Sequence, residues 1–262
     1  MTPLLRALAQ GRLCETYRDI VDGRPYYRKT RVCPDGLIDL TNRIPLNFDL
    51  LPSASWSRWE ADLFARIYQK DVVILTDTSI LVPELPGRTL HDILRDTPDE
   101  FTSLKSTAIR SAVAALSTLH ALDVHYPDGT TRPFAHADAT VRNVLYDHDS
   151  GTASWFDFET VYRPGIPVAD CRANDLRVLL LSAAALVPRR HWPDLAVDAR
   201  RAYGDDAIFD RACSPQPNTL QSFFELTQCR INARRRNEFR ETLLSSNAPR
   251  SRGVMLPDEF QL

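Results

Sequence analysis

The chain has 262 residues, of which 44% are apolar and 25% are charged, and its formal net charge is −2. This composition is typical of a folded globular protein and excludes a chain that is mainly disordered or fibrous. The small net charge gives no reason to expect nucleic acid or an anionic membrane as the main partner. The five cysteines are scattered and form no C-x-x-C pair, so neither a disulfide framework nor a zinc site is indicated.

No stretch of the sequence is typical of a signal peptide or a membrane-spanning helix. The first residues, Met1–Leu13, are interrupted by Arg6, Gln10 and Arg12. The most apolar stretch, Val178–Val187, is far too short to cross a bilayer as a helix. We therefore predict a cytoplasmic protein without a transmembrane segment.

An antiparallel hairpin is the first predicted element. Residues 13–20 and 25–32 have the composition of strands, and Asp22-Gly23 between them is a strong signal for a tight turn. The second strand carries Lys29, which is one of only three lysines among 32 basic residues. A lysine on the interior face of a sheet suits the binding of nucleotide phosphates, and a solvated strand lysine is the alternative.

The next segment is predicted to be a helix from about residue 55, with Ser53 or Ser55 as its N-terminal cap. Glu60 lies on its apolar stripe, because it is related to the apolar residues at positions 63, 64 and 67 as i, i+3, i+4 and i+7. A carboxylate on a packed face needs a cationic partner. We predict that this partner is Lys29; the alternative is a glutamate at the edge of the stripe that reaches solvent.

Two short strands and two helices are predicted to follow. The strands cover residues 72–75, expected to be buried, and 79–85, and the helices begin near Thr89 and at Ser103, the second running to Leu122. Pro86-Gly87 separates the strands from the helices. We place a domain boundary there, between residues 1–86 and residues 87–262.

The segment with the clearest chemistry contains His136-Ala137-Asp138, with Asn143 five residues after the aspartate, and then Asp157. This matches the pattern H-R-D-x-x-x-x-N followed by a metal-binding aspartate, in which the first Asp receives the proton of an acceptor hydroxyl. Magnesium prefers oxygen ligands and takes only one or two from protein. We therefore predict Asp138 as the base, Asn143 and Asp157 as metal ligands, and His136 as a brace of the loop.

With these motifs the chain resembles the protein-kinase-like superfamily, and most closely its small bacterial branch of lipopolysaccharide core sugar kinases and aminoglycoside or choline kinases. The resemblance covers about residues 10–190. It implies an α+β, bilobal fold with a small antiparallel β-sheet in the amino-terminal lobe and a mainly helical carboxy-terminal lobe. It also implies ATP and Mg²⁺ as cofactors, with Lys29 and Glu60 positioning the phosphates.

Further roles follow from the resemblance alone. The stretch Leu81–Leu90 resembles a kinase hinge, so the backbone at Glu84 and Leu85 is expected to contact the adenine, although the prolines at positions 83 and 86 remove two donors. Asp175 is expected to lie at the start of a helix and to brace the catalytic loop.

Three features depart from the family pattern. The stretch Ala9–Arg12, where a glycine-rich phosphate loop is expected, contains one glycine. Glu159 stands where the aspartate-phenylalanine pair is usually followed by glycine. Leu176 follows Glu159 by only 17 positions, which leaves little room for an activation segment or a peptide-docking surface. The first departure weakens the expected backbone contacts to phosphate, and the other two favour a small-molecule or glycan acceptor.

The sequence thus predicts an ATP-dependent kinase with a hydroxyl acceptor such as a lipopolysaccharide core sugar. Two alternatives stay open: a pseudokinase that serves as a nucleotide-binding or regulatory module, and a compact RIO-like protein kinase. Helices are also predicted over residues 192–203 and 220–244, followed by a loose tail. The arginines within Arg230–Arg240 are interpreted as a solvated helix face or as a contact for an anionic substrate or membrane surface.

Overall fold

The structure is a computed structural model and describes residues 13–44, 46–96, 100–214 and 233–245. Eight α-helices lie within these residues: α1 Asp35–Asn42, α2 Ser53–Tyr68, α3 Leu90–Arg95, α4 Ser103–His120, α5 Val168–Ala184, α6 Trp192–Tyr203, α7 Asp206–Cys213 and α8 Ala233–Ser245. The strands are β1 Cys14–Val21, β2 Arg24–Arg31, β3 Phe48–Leu50, β4 Val73–Thr76, β5 Ser79–Pro83, β6 Arg88–Thr89, β7 Asp123–His125, β8 Thr131–Pro133, β9 Val144–Asp147, β10 Thr152–Trp155 and β11 Thr160–Tyr162.

An antiparallel four-stranded sheet with the order β1-β2-β5-β4 forms the first part of the fold. The predicted hairpin is confirmed, with each strand displaced by one residue. Asp22 and Gly23 have φ values of 51° and 75°. Positive φ at both central residues is what the favoured two-residue hairpin turn requires, and it matches the twist of the paired strands. Lys29 lies on β2 between Thr16 and Ile80.

Helix α2 packs against this sheet with the predicted face. Glu60 is buried together with its apolar neighbours, so the predicted position of this carboxylate on the packed side is confirmed. The predicted cap is wrong, because the helix begins at Ser53 after Pro52 and no side chain caps it. The extended backbone of a proline is a suitable entry to a helix, and its own position needs no N–H donor.

Strand β4 is exposed along its whole length, so the prediction of a buried strand is wrong. It lies at the edge of the sheet and pairs only with β5. Val73, Ile74 and Leu75 keep 45%, 43% and 41% of their surface accessible. A short apolar run has the same composition at an edge as in a sheet centre, and its burial depends on which elements cover it.

The sequence indicates no element between β2 and α2, yet this connection forms α1 and β3. Strand β3 pairs antiparallel with β11, with Leu50 opposite Thr160 and Phe48 opposite Tyr162. This pairing attaches the region after β2 to the residues that directly follow Asp157-Phe158-Glu159. Residues 126–133, for which the sequence indicates no element, likewise contain strand β8, which pairs with β7.

Gly87 lies at the junction that the sequence marks as a boundary. Its φ is 109°, and a Cβ atom added there would lie 2.5 Å from the carbonyl oxygen of Tyr146. Directly after it, β6 pairs with β9. Only glycine fits this close approach of two backbones, since any side chain would collide with the strand.

The described chain is α+β, with eight helices and small antiparallel sheets. The predicted α+β class is therefore confirmed. The largest apolar cluster runs from α2 and β5 through β9 and β10 into α4 and α5, so the core is continuous across Gly87. Trp155 on β10 donates its indole N–H to the carbonyl of Ala112 in α4 at 3.1 Å. Among the described helices, none combines the length and apolarity needed to cross a bilayer.

Candidate functional site

The ammonium of Lys29 contacts side chains from two other parts of the chain. Its Nζ lies 2.7 Å and 2.8 Å from the two carboxylate oxygens of Glu60, and 2.8 Å from Oδ1 of Asp157. Glu159 approaches to 3.4 Å. The sequence predicted the contact with Glu60, and the structure adds the two later carboxylates to it.

The charges in this cluster stabilise the ionised lysine. Burial by itself disfavours the ammonium, but the carboxylates of Asp157 and Glu60 hold the pKa of Lys29 well above its ordinary value. Burial also disfavours an ionised Asp157, and attraction to Lys29 outweighs it, so the pKa of Asp157 is lowered. The indole N–H of Trp56 donates to Glu60 Oε2 at 2.7 Å and fixes its orientation. The site therefore holds a charged lysine at a defined position.

Asp138 and Asn143 form a second pair beside this cluster. The Asn143 amide donates from Nδ2 to the Asp138 backbone carbonyl at 2.8 Å and to its carboxylate Oδ2 at 2.9 Å. The Phe156 N–H donates to the Asn143 carbonyl at 3.0 Å. Since Phe156 immediately precedes Asp157, this bond holds the two predicted metal ligands at the same end of the β9–β10 hairpin.

Two residues of the site have left-handed backbone. Among the described residues only four that are not glycine have positive φ, and two of them are Ala137, at 64°, and Asp157, at 69°. Such conformations cost about 1–3 kcal/mol each and persist where the surrounding contacts enforce them. Their coincidence with the two motif segments supports a functional role for this region.

Asp175 braces the loop that carries Asp138. Its carboxylate accepts the backbone N–H of His136 at 2.6 Å and that of Ala137 at 2.9 Å, and also the Tyr162 hydroxyl at 2.8 Å. The predicted bracing contact is present. The predicted place at a helix start is wrong, because α5 begins at Val168 and Asp175 lies in its interior. Its position is set by the packing of α5 against the loop.

His136 has the bracing contact that the sequence predicts. Its Nε2 donates to the Phe156 carbonyl at 3.0 Å. Burial lowers the pKa of His136 and keeps the ring neutral, although the charge of Asp175 opposes this effect. The imidazole thus links the loop of residues 136–143, here called the catalytic-type loop, to Phe156, which directly precedes Asp157.

Asp138 has one oxygen in position for a further partner. Its Oδ1 is shielded from solvent and accepts no hydrogen bond from any described residue. Burial, and then the nearby charge of Asp157, raise the pKa of Asp138 from 3.8 to about 7. A carboxylate of this kind exchanges a proton near neutral pH.

Sequence reasoning missed Arg31 and Glu159 as members of the site. Arg31 follows Lys29 by two positions and so shares its face of β2, a signal that was available from strand periodicity. Its fully buried side chain lies 4.7 Å above the Trp56 ring and 3.9 Å from Glu159. Burial and the charge of Asp157 raise the pKa of Glu159 to about 7.

The donor set fits magnesium. Asn143 uses its Nδ2 on Asp138, which leaves its Oδ1 available as a ligand among the described contacts. Asp157 keeps 34% of its side chain accessible. No group of three or more His, Cys, Asp or Glu side chains in the described residues could hold a metal alone. One carboxylate and one amide oxygen match the usual protein share of a magnesium site, which substrate phosphates and water complete.

At the predicted hinge, Glu84 and Leu85 differ in whether their backbone groups already have hydrogen-bond partners. The Glu84 N–H donates to the Pro25 carbonyl at 3.2 Å, its own carbonyl accepts from Lys70 at 3.3 Å, and its side chain binds Arg18 at 2.9 Å. No described residue accepts the N–H of Leu85, whose side chain is buried. Leu85 therefore retains the backbone donor that a base contact needs, whereas both backbone groups of Glu84 are already engaged.

Part of the predicted nucleotide and anion contacts lies outside the described residues, namely Ala9–Arg12 and Arg230. Within α8, Arg234 binds Glu238 at 2.9 Å and the guanidinium of Arg235 lies 5.4 Å from the Trp192 ring. These two arginines have structural partners. An anionic contact through the other arginines stays a prediction.

A scan against protein-family models and a search of curated proteins both found no match for this chain. The roles of its residues accordingly rest on the geometry above.

Proposed function

We propose that the protein is an ATP-dependent kinase that transfers the γ-phosphate to a hydroxyl of a small molecule or glycan. The observation that carries this proposal is the buried contact of Lys29 with Glu60, which is 31 residues away, in a cluster that also contains Asp157. The Asp138–Asn143 pair lies beside it. A base, two metal ligands and a phosphate-positioning cation in this arrangement are the parts that phosphoryl transfer needs.

The proposed fold is bilobal and kinase-like, with the boundary between residues 86 and 87. In this fold Lys29 binds the nucleotide phosphates while Glu60 holds its ammonium in place. The backbone N–H of Leu85 donates to the adenine ring of the nucleotide. A magnesium ion held by Asn143 and Asp157 would offset negative charge on the phosphates during transfer.

Asp138 is the proposed base. Its Oδ1 has no partner among the described residues, and its Oδ2 is fixed by Asn143, so the free oxygen is presented in one orientation. A pKa of about 7 lets the carboxylate take a proton from an acceptor hydroxyl and release it again near neutral pH. Asp175 keeps the loop in the required backbone conformation.

The chain between the metal-ligand segment and α5 supports a non-protein acceptor. Strand β11 starts at Thr160 and ends at Tyr162, and α5 starts at Val168. Only residues 163–167 connect them. This connection is too short for a phosphorylatable activation segment and counts against a RIO-like protein kinase. Lipopolysaccharide core sugars are candidate acceptors.

The cellular setting follows from the proposed substrate. The four described cysteines are unpaired, and three of them are buried. Unpaired thiols and a need for ATP are both consistent with a cytoplasmic enzyme.

Transfer can be measured with γ-labelled ATP, magnesium and a panel of hydroxyl acceptors that includes lipopolysaccharide core sugars. We expect Asp138→Asn to lower turnover by about 10²–10⁴-fold, the usual contribution of a positioned base. Asp123→Asn, at an exposed position, is the matched control and should be unaffected. Normal turnover in Asp138→Asn would contradict the assigned mechanism.

One observation favours a pseudokinase as the second candidate. Lys29 lies 2.8 Å from Asp157, so the two groups that would flank a metal-bound phosphate are in direct contact. A module held in this state binds its partners without transferring phosphate. The two candidates differ in their response to nucleotide, since only the kinase requires binding of ATP with magnesium at this contact.

A further inference from the structure

A pocket with a volume of about 560 Å³ is lined by residues other than those of the Lys29 cluster. Its walls are the start of α2, strands β3 and β11, the residues directly after β11, and the turn between β7 and β8. Neither Lys29 nor Asp138 lines it. This volume lies within the range of about 300–1,000 Å³ that is typical of small-molecule sites.

Two arginine–aspartate pairs determine the charge of this pocket. Arg163 Nε lies 2.7 Å from Asp49 Oδ1, and Arg132 Nη1 lies 2.7 Å from Asp128 Oδ2. Each arginine is neutralised by its own aspartate. A phosphate or carboxylate would meet a negative group beside each positive one, so the pocket suits an uncharged ligand.

The polar groups that face the pocket include both donors and acceptors. Asp49 uses only Oδ1 on Arg163, and no described residue bonds its other oxygen or the hydroxyl of Ser55. A sugar hydroxyl donates and accepts at once, so a ligand with several hydroxyls can use both kinds of group. Apolar faces between them are supplied by Pro52, Pro127 and Pro164.

The pocket wall is directly bonded to the candidate active site. Leu51 donates its N–H to the Glu159 carbonyl at 3.2 Å and accepts from Arg31 Nη1 at 2.8 Å. Tyr162, on the paired strand β11, donates its hydroxyl to Asp175. A ligand that orders these walls therefore also orders the supports of Lys29 and of the catalytic-type loop.

We propose that this pocket binds an uncharged, polyhydroxylated molecule, a sugar or a polyol. Binding of this ligand would stabilise the pairing between β3 and β11. The ligand acts as an effector bound apart from the reacting groups. This inference goes beyond the proposed kinase function, and its test does not depend on kinase activity.

The test uses the full chain and saturation-transfer NMR with methyl α-glucoside, methyl α-galactoside and myo-inositol as probes. Ser55→Trp fills the pocket from the first turn of α2. Arg58→Trp places the same side chain on the exposed side of the same helix and is the control. We expect transfer to at least one probe in the wild type and in Arg58→Trp, and its loss in Ser55→Trp. If Ser55→Trp melts well below the wild type, Ser55→Leu replaces it.

Hydrogen exchange provides the second readout. With a bound probe, the Leu51 amide should exchange more slowly in the wild type and be unchanged in Ser55→Trp. Glucose 6-phosphate is added separately as a charged comparison. The proposal is overturned by the absence of transfer to all three uncharged probes, by equal transfer in Ser55→Trp, or by transfer to glucose 6-phosphate alone. Transfer without slower exchange of the Leu51 amide would overturn the claim that the bound ligand stabilises the pairing between β3 and β11.

Discussion

Replacing Asp138 with asparagine should stabilise the protein at alkaline pH while it lowers turnover by about 10²–10⁴-fold. In the folded state the pKa of Asp138 is raised from 3.8 to about 7, because burial and the charge of Asp157 disfavour its ionised form. The unfolded chain releases this proton near pH 4. Between these two values the folded state binds more protons than the unfolded state, so this group lowers stability as the pH rises.

The size of the effect follows from the shift. About three pKa units at 1.36 kcal/mol each give an upper bound of about 4 kcal/mol at pH 8. Asp138 is only half-buried and keeps its bond to Asn143, so we expect a gain of about 1–3 kcal/mol in Asp138→Asn. At pH 4 the aspartate is protonated in the folded state, and the two proteins should differ little.

Urea unfolding followed by tryptophan fluorescence at pH 4 and at pH 8 measures this difference. Asp123→Asn, at an exposed aspartate, should give no gain at either pH. The reasoning is refuted if Asp138→Asn folds normally and is no more stable than the wild type at pH 8. An equal gain at both pH values would show that ionisation of Asp138 is not the cause.

Three further substitutions test the supporting contacts. Lys29→Met leaves the carboxylates around it without their cation and should lower the free energy of unfolding in urea by about 3–5 kcal/mol. The control Lys70→Met removes one bond to a backbone carbonyl and should lower it by less than about 1.5 kcal/mol. Similar losses in the two variants would contradict the buried cluster. Gly87→Ala should lower the free energy of unfolding by more than about 2 kcal/mol, because the added Cβ collides with a strand. Gly129→Ala, in open space at φ 80°, should lower it by about 1 kcal/mol. Equal losses by calorimetry would refute the close approach at Gly87. Asp175→Ala removes the acceptor of two loop amides, and hydrogen exchange should become faster at both, which a purely peripheral aspartate would not cause.

The parts of the site that the sequence predicted are those with local signals. The turn at Asp22-Gly23 needs two residues with positive φ, and this pair of residue types is suited to that conformation. The position of Glu60 on an apolar stripe follows from helical periodicity, and its burial requires a cation nearby. The contact with Lys29 could therefore be predicted without knowing the path of the chain between them.

The parts that were missed depend on contacts between distant segments. Strand β3 has three residues and pairs with β11, more than 100 residues later, so neither strand has a strong signal of its own. The exposure of Val73 on β4 depends on the absence of a covering element beside that edge in the described chain. The engagement of the Glu84 backbone by Pro25 and Lys70 depends on where the hairpin and α2 end. Composition alone contains none of this information.

The most direct test of the proposed function is the thermal midpoint of the protein with ATP and magnesium, measured against each alone and with EDTA. A ligand that binds the folded state at 100 times its Kd stabilises it by about 2.7 kcal/mol, so the midpoint should rise when both are present. Asp157→Asn, compared with its own ligand-free midpoint, should lose the rise, and Asp123→Asn should keep it. No rise in the wild type, or an equal rise in Asp157→Asn, would contradict the assignment of this site to magnesium and nucleotide.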